Sequence, residues 1–275
     1  MNSKENIQNR KEDPTAAQRK KDHIELAFQS QVSAIDERFY YEPLLSGLGS
    51  KQNNWGAFQF LGKEMKNPLW VSSMTGGTEW AGTINANLAK AVKEFGLGMG
   101  LGSCRSLLYD DAYFEDFNVR KLVGDQPLYA NLGIAQIEHL LDDHQMNRAI
   151  EMVKKLEADG LIIHINPLQE AMQPEGDNYQ NPPIETIKKV LDLVSFPIIV
   201  KEVGQGMGPE SLDALLRLPL AAVDFAASGG TNFALLELLR DDKDVMEAFE
   251  PITHIGHKAE EMVEIFNNLK AGAGS

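Results

Sequence analysis

The sequence has one cysteine, Cys104, so no disulfide framework can form within the chain. Positive charge is scarce: 26 Lys and Arg face 40 Asp and Glu, a formal net charge of -14. That balance argues against a nucleic-acid or acidic-membrane partner for the body of the protein. No apolar run is long enough to span a bilayer. Met1 to Lys21 is polar and lacks the apolar stretch of a signal peptide. Together these absences lead us to expect a soluble protein of the reducing cytoplasm. No G-x-G-x-x-G or P-loop pattern occurs, which disfavours a Rossmann dinucleotide site and an NTPase. His139 and His144 are five apart and His254 and His257 three apart, so neither pair has the i, i+4 spacing of a helical zinc site.

What is present is ordinary globular usage. The chain has 275 residues, 43% hydrophobic and 24% charged, enough to bury a sizeable core. Residues 1–18 are charged and amide-rich and read as a flexible tail, leaving 19–275 as a single domain with an N-terminal extension. A helical pattern begins near Arg19. Phe58 to Gly62 reads as a hairpin that leads into a strand. Short apolar runs then alternate with helical stretches. The pattern predicts strands over 69–73, 98–102, 127–132, 160–165, 197–202 and 221–225. Helices are predicted over 83–95, 145–158, 184–194, 209–217, 232–240 and 257–270. Such alternation argues for βα units and a parallel sheet. A doubly wound sheet gathers its ligand groups at one switch point. Here polar residues end strand after strand, as in a (β/α)8 barrel. The fold class is therefore α/β, a TIM (β/α)8 barrel. Only six βα units are readable, so the barrel is expected to be incomplete, without strands 7 and 8.

Two loops, Thr75 to Thr78 and Ser228 to Thr231, carry paired glycines after a strand. Glycine there lets backbone N–H groups approach a ring or phosphate, although tight strand-to-helix turns use it equally. Alternation along His164-Ile-Asn-Pro-Leu-Gln-Glu170 points His164 and Asn166 to one face and places Gln169 and Glu170 at the mouth. A carboxylate there suits Mg²⁺ shared with substrate phosphate, or it can cap a helix. A lone inward histidine is more often a satisfied core residue than a ligand. Lys201 ends an apolar strand and also points inward, where an unpaired lysine is rare; its partner is either the neighbourhood of Glu202 or an anionic ligand, and its place at the strand's C-terminal end favours the ligand. Cys104 has no base nearby in the pattern and reads as a small packed residue.

These segments resemble type 2 isopentenyl-diphosphate isomerases. The matching runs are Arg19-Lys20-x-x-His23, Ser73-Met-Thr-Gly-Gly77, Gly102-Ser-Cys-Arg105, Ala130-Asn-Leu-Gly133, His164-Ile-Asn-Pro-Leu-Gln-Glu170, Lys201-Glu-Val-Gly204 and Gly229-Gly-Thr-Asn232. They follow the family's order from residue 19 to about 260. The resemblance implies a barrel that holds reduced FMN and Mg²⁺, with NADPH as reductant. It implies interconversion of isopentenyl and dimethylallyl diphosphates by a homotetramer or octamer. Carried over, Ser73, Met74, Thr75, Ser103, Asn131, Lys201 and Thr231 would contact FMN. Arg19, Lys20, Ser103, Arg105, His164, Asn166 and Gln169 would contact substrate, with Gln169 catalytic. Glu170 would hold the metal. Family members run on through further strands whose loops cradle the cofactor phosphate, so weak FMN affinity is expected of this chain. The alternatives are another FMN barrel enzyme, such as a 2-hydroxy-acid oxidase, or an inactive flavin-binding fragment.

Overall fold

The computed structural model describes residues 16–27, 29–30, 44, 56–73, 75–174 and 176–273. The chain divides into two units, 1–54 and 55–275. In the first, helix α1 spans Ala16–Leu26, starting three residues before the position read from sequence. On it Gln18 is bonded to Asp22 and Lys21 is paired with Glu25, while Ile24 and Leu26 are exposed.

The second unit opens with a hairpin, β1 (Phe58–Phe60) and β2 (Lys63–Met65). Both turn residues, Leu61 and Gly62, have positive φ (51° and 80°), as a two-residue hairpin of type I′ requires. Leu61 accepts this conformation because its side chain packs against the apolar cluster of Tyr129, Ile162 and Ile199.

Six strands then form one parallel sheet: β3 (Trp70–Ser72), β4 (Gly98–Gly100), β5 (Leu128–Gly133), β6 (Gly160–Ile165), β7 (Ile198–Glu202) and β8 (Ala222–Asp224). Their spatial order is their chain order. A doubly wound sheet reverses direction at a switch point; this one never does, which is the winding of a (β/α) barrel, with six units as read from sequence. Beyond β8 the described residues add only a single parallel bridge, Ser228 to Lys258. The sheet curls strongly. Ser72 Oγ, on the first strand, donates 2.7 Å to Asp224 Oδ2, on the last.

The intervening helices are α2 (Glu79–Phe95), α3 (Phe114–Phe117), α4 (Arg120–Val123), α5 (Ile134–Asp142), α6 (Met146–Lys155), α7 (Pro167–Met172), α8 (Pro183–Leu193), α9 (Pro209–Leu216), α10 (Phe233–Leu238), α11 (Lys243–Phe249) and α12 (Ala259–Ala273). Outward strand residues Ala130, Leu132, Leu161, Ile163, Ile198 and Val200 pack in one core with Val92, Met152, Ile187 and Leu212 from the helices. Burying each such aliphatic side chain stabilises the fold by about 1.5–3 kcal/mol. α5 and α7 are absent from the sequence reading. α5 follows β5 with no loop, because the Gln136 side chain accepts from the Gly133 N–H and turns the strand directly into helix. Pro167 does end β6, as expected, but it also occupies the first turn of α7, where its missing N–H costs nothing.

The glycine run from Gly96 to Gly102 has steric causes. Gly96 closes α2 in the left-handed conformation (φ 64°). A Cβ on Gly98 would overlap the Trp70 ring, one on Gly100 would overlap Ser73 Oγ and Ile162, and one on Gly102 would overlap the Thr75 backbone. The run makes room for what lies inside the curl.

Candidate active site

Parallel register places Gly133, His164, Lys201 and Asp224 side by side on four successive strands. Two residues earlier in each strand, the same face carries Asn131, Ile162, Ile199 and Ala222. The inner face is thus apolar at its base and polar towards the C-terminal ends. Around those ends lies a pocket of about 490 Å³, lined by Ser73, Ser103, Asn131, His164, Gln169, Lys201, Val203 and Phe233. Six of these are residues singled out from sequence, separated by up to 128 positions (73 to 201).

His164 Nδ1 lies 2.6 Å from Asn131 Oδ1, an arrangement in which the ring donates and leaves Nε2 as an acceptor. Burial, followed by the charge of Lys201, pushes this imidazole down to about 4 from 6.5. His164 is therefore neutral at physiological pH. The folded state resists protonation, so its stability is fully present above pH 6.5 and falls as pH drops towards 4. The loss should reach at most about 3 kcal/mol. Urea titrations across that window should show a shallower pH dependence in His164→Gln than in wild type. Equal slopes would show that the histidine does not supply this dependence.

Lys201 is 6% exposed, and its ammonium donates 2.7 Å to the Glu202 carbonyl. The structure thus gives it a backbone partner, where the sequence pattern favoured an external anion. Burial lowers its pKa, and Asp224 and then Glu202 oppose that fall. The Glu202 carboxylate accepts from the N–H groups of Gly204, Gln205 and Gly206 at 2.6, 2.6 and 2.9 Å. These three donors form a concave backbone nest around one oxygen.

α7 presents Gln169 and Glu170. Asn166, 3% exposed, donates through Nδ2 to Gln169 Oε1 (3.2 Å) and to Glu170 Oε1 (2.9 Å). Gln169 Nε2 donates 2.9 Å to Glu237 Oε1 on α10, and Glu237 also pairs with Arg240. The second Glu170 oxygen accepts the Asp177 N–H at 2.7 Å. Asp177 in turn holds Arg105 (2.6 Å) and Gln136 (2.8 Å). Glu138 fixes the rest of that loop by accepting from the Gln180 and Asn181 N–H groups and the Asn181 amide. Burial tends to raise the Glu138 carboxyl, but these donors prevail and it ends below the ordinary range.

Thr75 and Thr231 lie outside the pocket lining. Thr78 caps α2 through the Ala81 N–H, and Asn232 caps α10 through the Leu235 N–H, so both glycine loops end in helix caps. Met74 and the Arg19 side chain are outside the described residues, and Lys20 is exposed on α1. Cys104 is fully buried and burial pushes its thiol up to about 12, which suits a packed residue. Among the described residues no three His, Cys, Asp or Glu side chains converge to hold a metal, and no helix is long and apolar enough to cross a membrane.

Sequence reasoning missed Asp224, Glu237, Asp177 and Phe233. Asp224 was findable, since the alternation that turns Lys201 inward does the same for Asp224 on the next strand.

Two features set Ser73 apart in the pocket lining. Ser73 has φ 47°, a strained value for a non-glycine residue. Its buried hydroxyl lacks a hydrogen-bond partner, as does Asn166 Oδ1. Buried polar atoms are normally paired; Tyr129 Oη and Gln205 Oε1 are exceptions too, and of the four only Ser73 lines the pocket.

No family model matches the chain. Among curated proteins it is 37% identical over 235 residues to the isopentenyl-diphosphate delta-isomerase of Rickettsia felis, an alignment covering 81% of this chain and 65% of that protein. It is 36% identical over 242 residues to that of Rickettsia prowazekii, covering 84% and 68%. For the Deinococcus radiodurans protein of the same name, identity is 44% over 180 residues, covering 66% and 52%. The chain thus spans between half and about two thirds of these relatives' length. Among solved structures, a lactate oxidase of Pediococcus acidilactici has 13% identity and a TM-score of 0.45, over 70% of this chain and 56% of that one.

Proposed function

The chain belongs to the isopentenyl-diphosphate delta-isomerase family, and on that footing we propose that its pocket interconverts isopentenyl and dimethylallyl diphosphates with reduced FMN, Mg²⁺ and NADPH as reductant. The convergence of Ser73, Ser103, Asn131, His164, Gln169 and Lys201 on one pocket carries this reading.

The reaction adds a proton to an unactivated alkene and removes another two carbons away. Neither Gln169 nor His164 is suited to donate the first. Gln169 has no titratable proton near neutrality. His164 is already neutral there. Reduced FMN supplies, when bound, the acid/base couple these residues lack. The residues present fit it: the unpartnered Ser73 hydroxyl, Ser103, Asn131 and the Lys201 ammonium offer polar groups, and Phe233 and Val203 offer apolar surface. Met74, Thr75 and Thr231 are proposed as further contacts. Lys201 would stabilise negative charge on the ring in a water-poor setting.

The diphosphate needs cations and donors. Arg105 uses two of its five N–H groups on Asp177, which leaves donors for phosphate. Arg19 and Lys20 are proposed to add charge. For His164 to donate to a phosphate oxygen through Nε2, Asn131 must turn its amide and offer N–H to Nδ1. Each Glu170 oxygen accepts a single hydrogen bond and keeps a lone pair, which suits one carboxylate shared with phosphate around Mg²⁺. Gln169, held at both ends, orients the reacting end of the substrate.

Incubating the chain with isopentenyl diphosphate, FMN, NADPH and Mg²⁺ should yield dimethylallyl diphosphate. Flavin reduction by a 2-hydroxy acid without isomerisation would replace this reading with an oxidase. Absence of both would leave a flavin-binding fragment.

A further inference from the structure

We propose that Asp224 is the positioning residue that keeps Lys201 charged against the pocket, fixed in that role by Ser72 from the opposite edge of the sheet. The proposal rests on the reading that Lys201 faces an anionic ring.

The geometry is specific. Lys201 and Asp224 are direct neighbours in register, in the inward row at the C-terminal ends. Asp224 cannot swing away, because each carboxylate oxygen is tied. Oδ2 accepts from Ser72 Oγ at 2.7 Å, and Oδ1 accepts from the Ala226 N–H at 3.1 Å. Ala226, which supplies this N–H, has φ 41°, a strained value for alanine. The two residues form no direct ion pair, so the lysine is left free to face a ligand while the carboxylate acts through the low-dielectric interior.

The charged and titratable groups facing Lys201 are His164 on β6, Glu202 on its own strand and Asp224 on β8. His164 is neutral and offers no counter-charge. The Glu202 carboxylate is engaged by the three N–H groups of its nest, and burial raises its pKa. That leaves Asp224 as the principal opponent of the desolvation that would otherwise strip the proton from Lys201. A neutral lysine could not stabilise an anion, so the function of Lys201 depends on a residue that lines no part of the pocket itself.

The test reads Lys201 directly, in the chain without flavin. Lysine side chains carrying an NMR label are titrated, with Lys201→Met assigning the signal. In Asp224→Asn, an isosteric change, the Lys201 midpoint should fall by at least one pH unit, a tenfold loss of proton affinity. Ser72→Ala should produce a smaller fall, and Asp224→Glu should restore part of it. An unchanged midpoint in a folded Asp224→Asn chain overturns the proposal; if that variant fails to fold, an unchanged midpoint in Ser72→Ala does so. A shifted midpoint with no change in affinity for reduced FMN would uphold the role of Asp224 and overturn the flavin reading of the pocket.

Discussion

Gln169→Ala should lower turnover of isopentenyl diphosphate by roughly 10²–10⁴-fold, the range for loss of a residue that positions proton transfer, while FMN affinity stays unchanged. The separation follows from where the side chain is anchored. Asn166 donates to its oxygen and its nitrogen donates to Glu237, so the amide is held at both ends between β6 and α10. None of those anchors is among the groups proposed to hold the flavin. Removing the amide therefore takes away orientation without opening the cofactor wall. Isomerase rates alongside quenching of flavin fluorescence separate the two effects. Wild-type rates in the variant would end the assignment.

The second large effect concerns stability. Arg120 donates to the carbonyls of Glu157, Gly124 and Gln126 and to Asp159 Oδ2, all at 2.8–2.9 Å. Asp159 also accepts from the Leu128 N–H and pairs with Lys63 of the hairpin at 2.8 Å. The guanidinium is largely buried, so alanine would strip a donor from three carbonyls at the base of the sheet and leave Asp159 with Lys63 and the Leu128 N–H. Leaving a buried acceptor unsatisfied costs about 1–3 kcal/mol. Urea unfolding of Arg120→Ala should show a lower midpoint at unchanged slope. A cost below about 1 kcal/mol would mean that water replaces the guanidinium at no penalty.

The legible parts of the fold were those with strong local causes. All six strands lie within two residues of their predicted ends, because short apolar runs between helical stretches suit strands buried on both faces. Alternation also placed His164 and Lys201 on the inner face. α5 was illegible because its start has no loop, only a side-chain oxygen three residues ahead. The grip of Asp177 on Arg105 joins residues 72 positions apart, and no local pattern encodes such a pair. The Ser73 hydroxyl likewise sits where a side chain at Gly100 would overlap it, a fit no local pattern encodes. Glu237 could have been suspected as a carboxylate within the apolar stretch Phe233–Leu238.

The nest around Glu202 bears on which way the proposed substrate would lie. Backbone donors arranged like this ordinarily attract phosphate, but here the socket is already plugged by a carboxylate from the same strand. A polyanionic tail drifting towards β7 meets a filled receptor carrying its own sign of charge, whereas Arg105 waits beyond β4. The backbone donors after β7 are thus spent on the protein's own carboxylate, and the phosphate tail of the proposed substrate is left to turn towards Arg105.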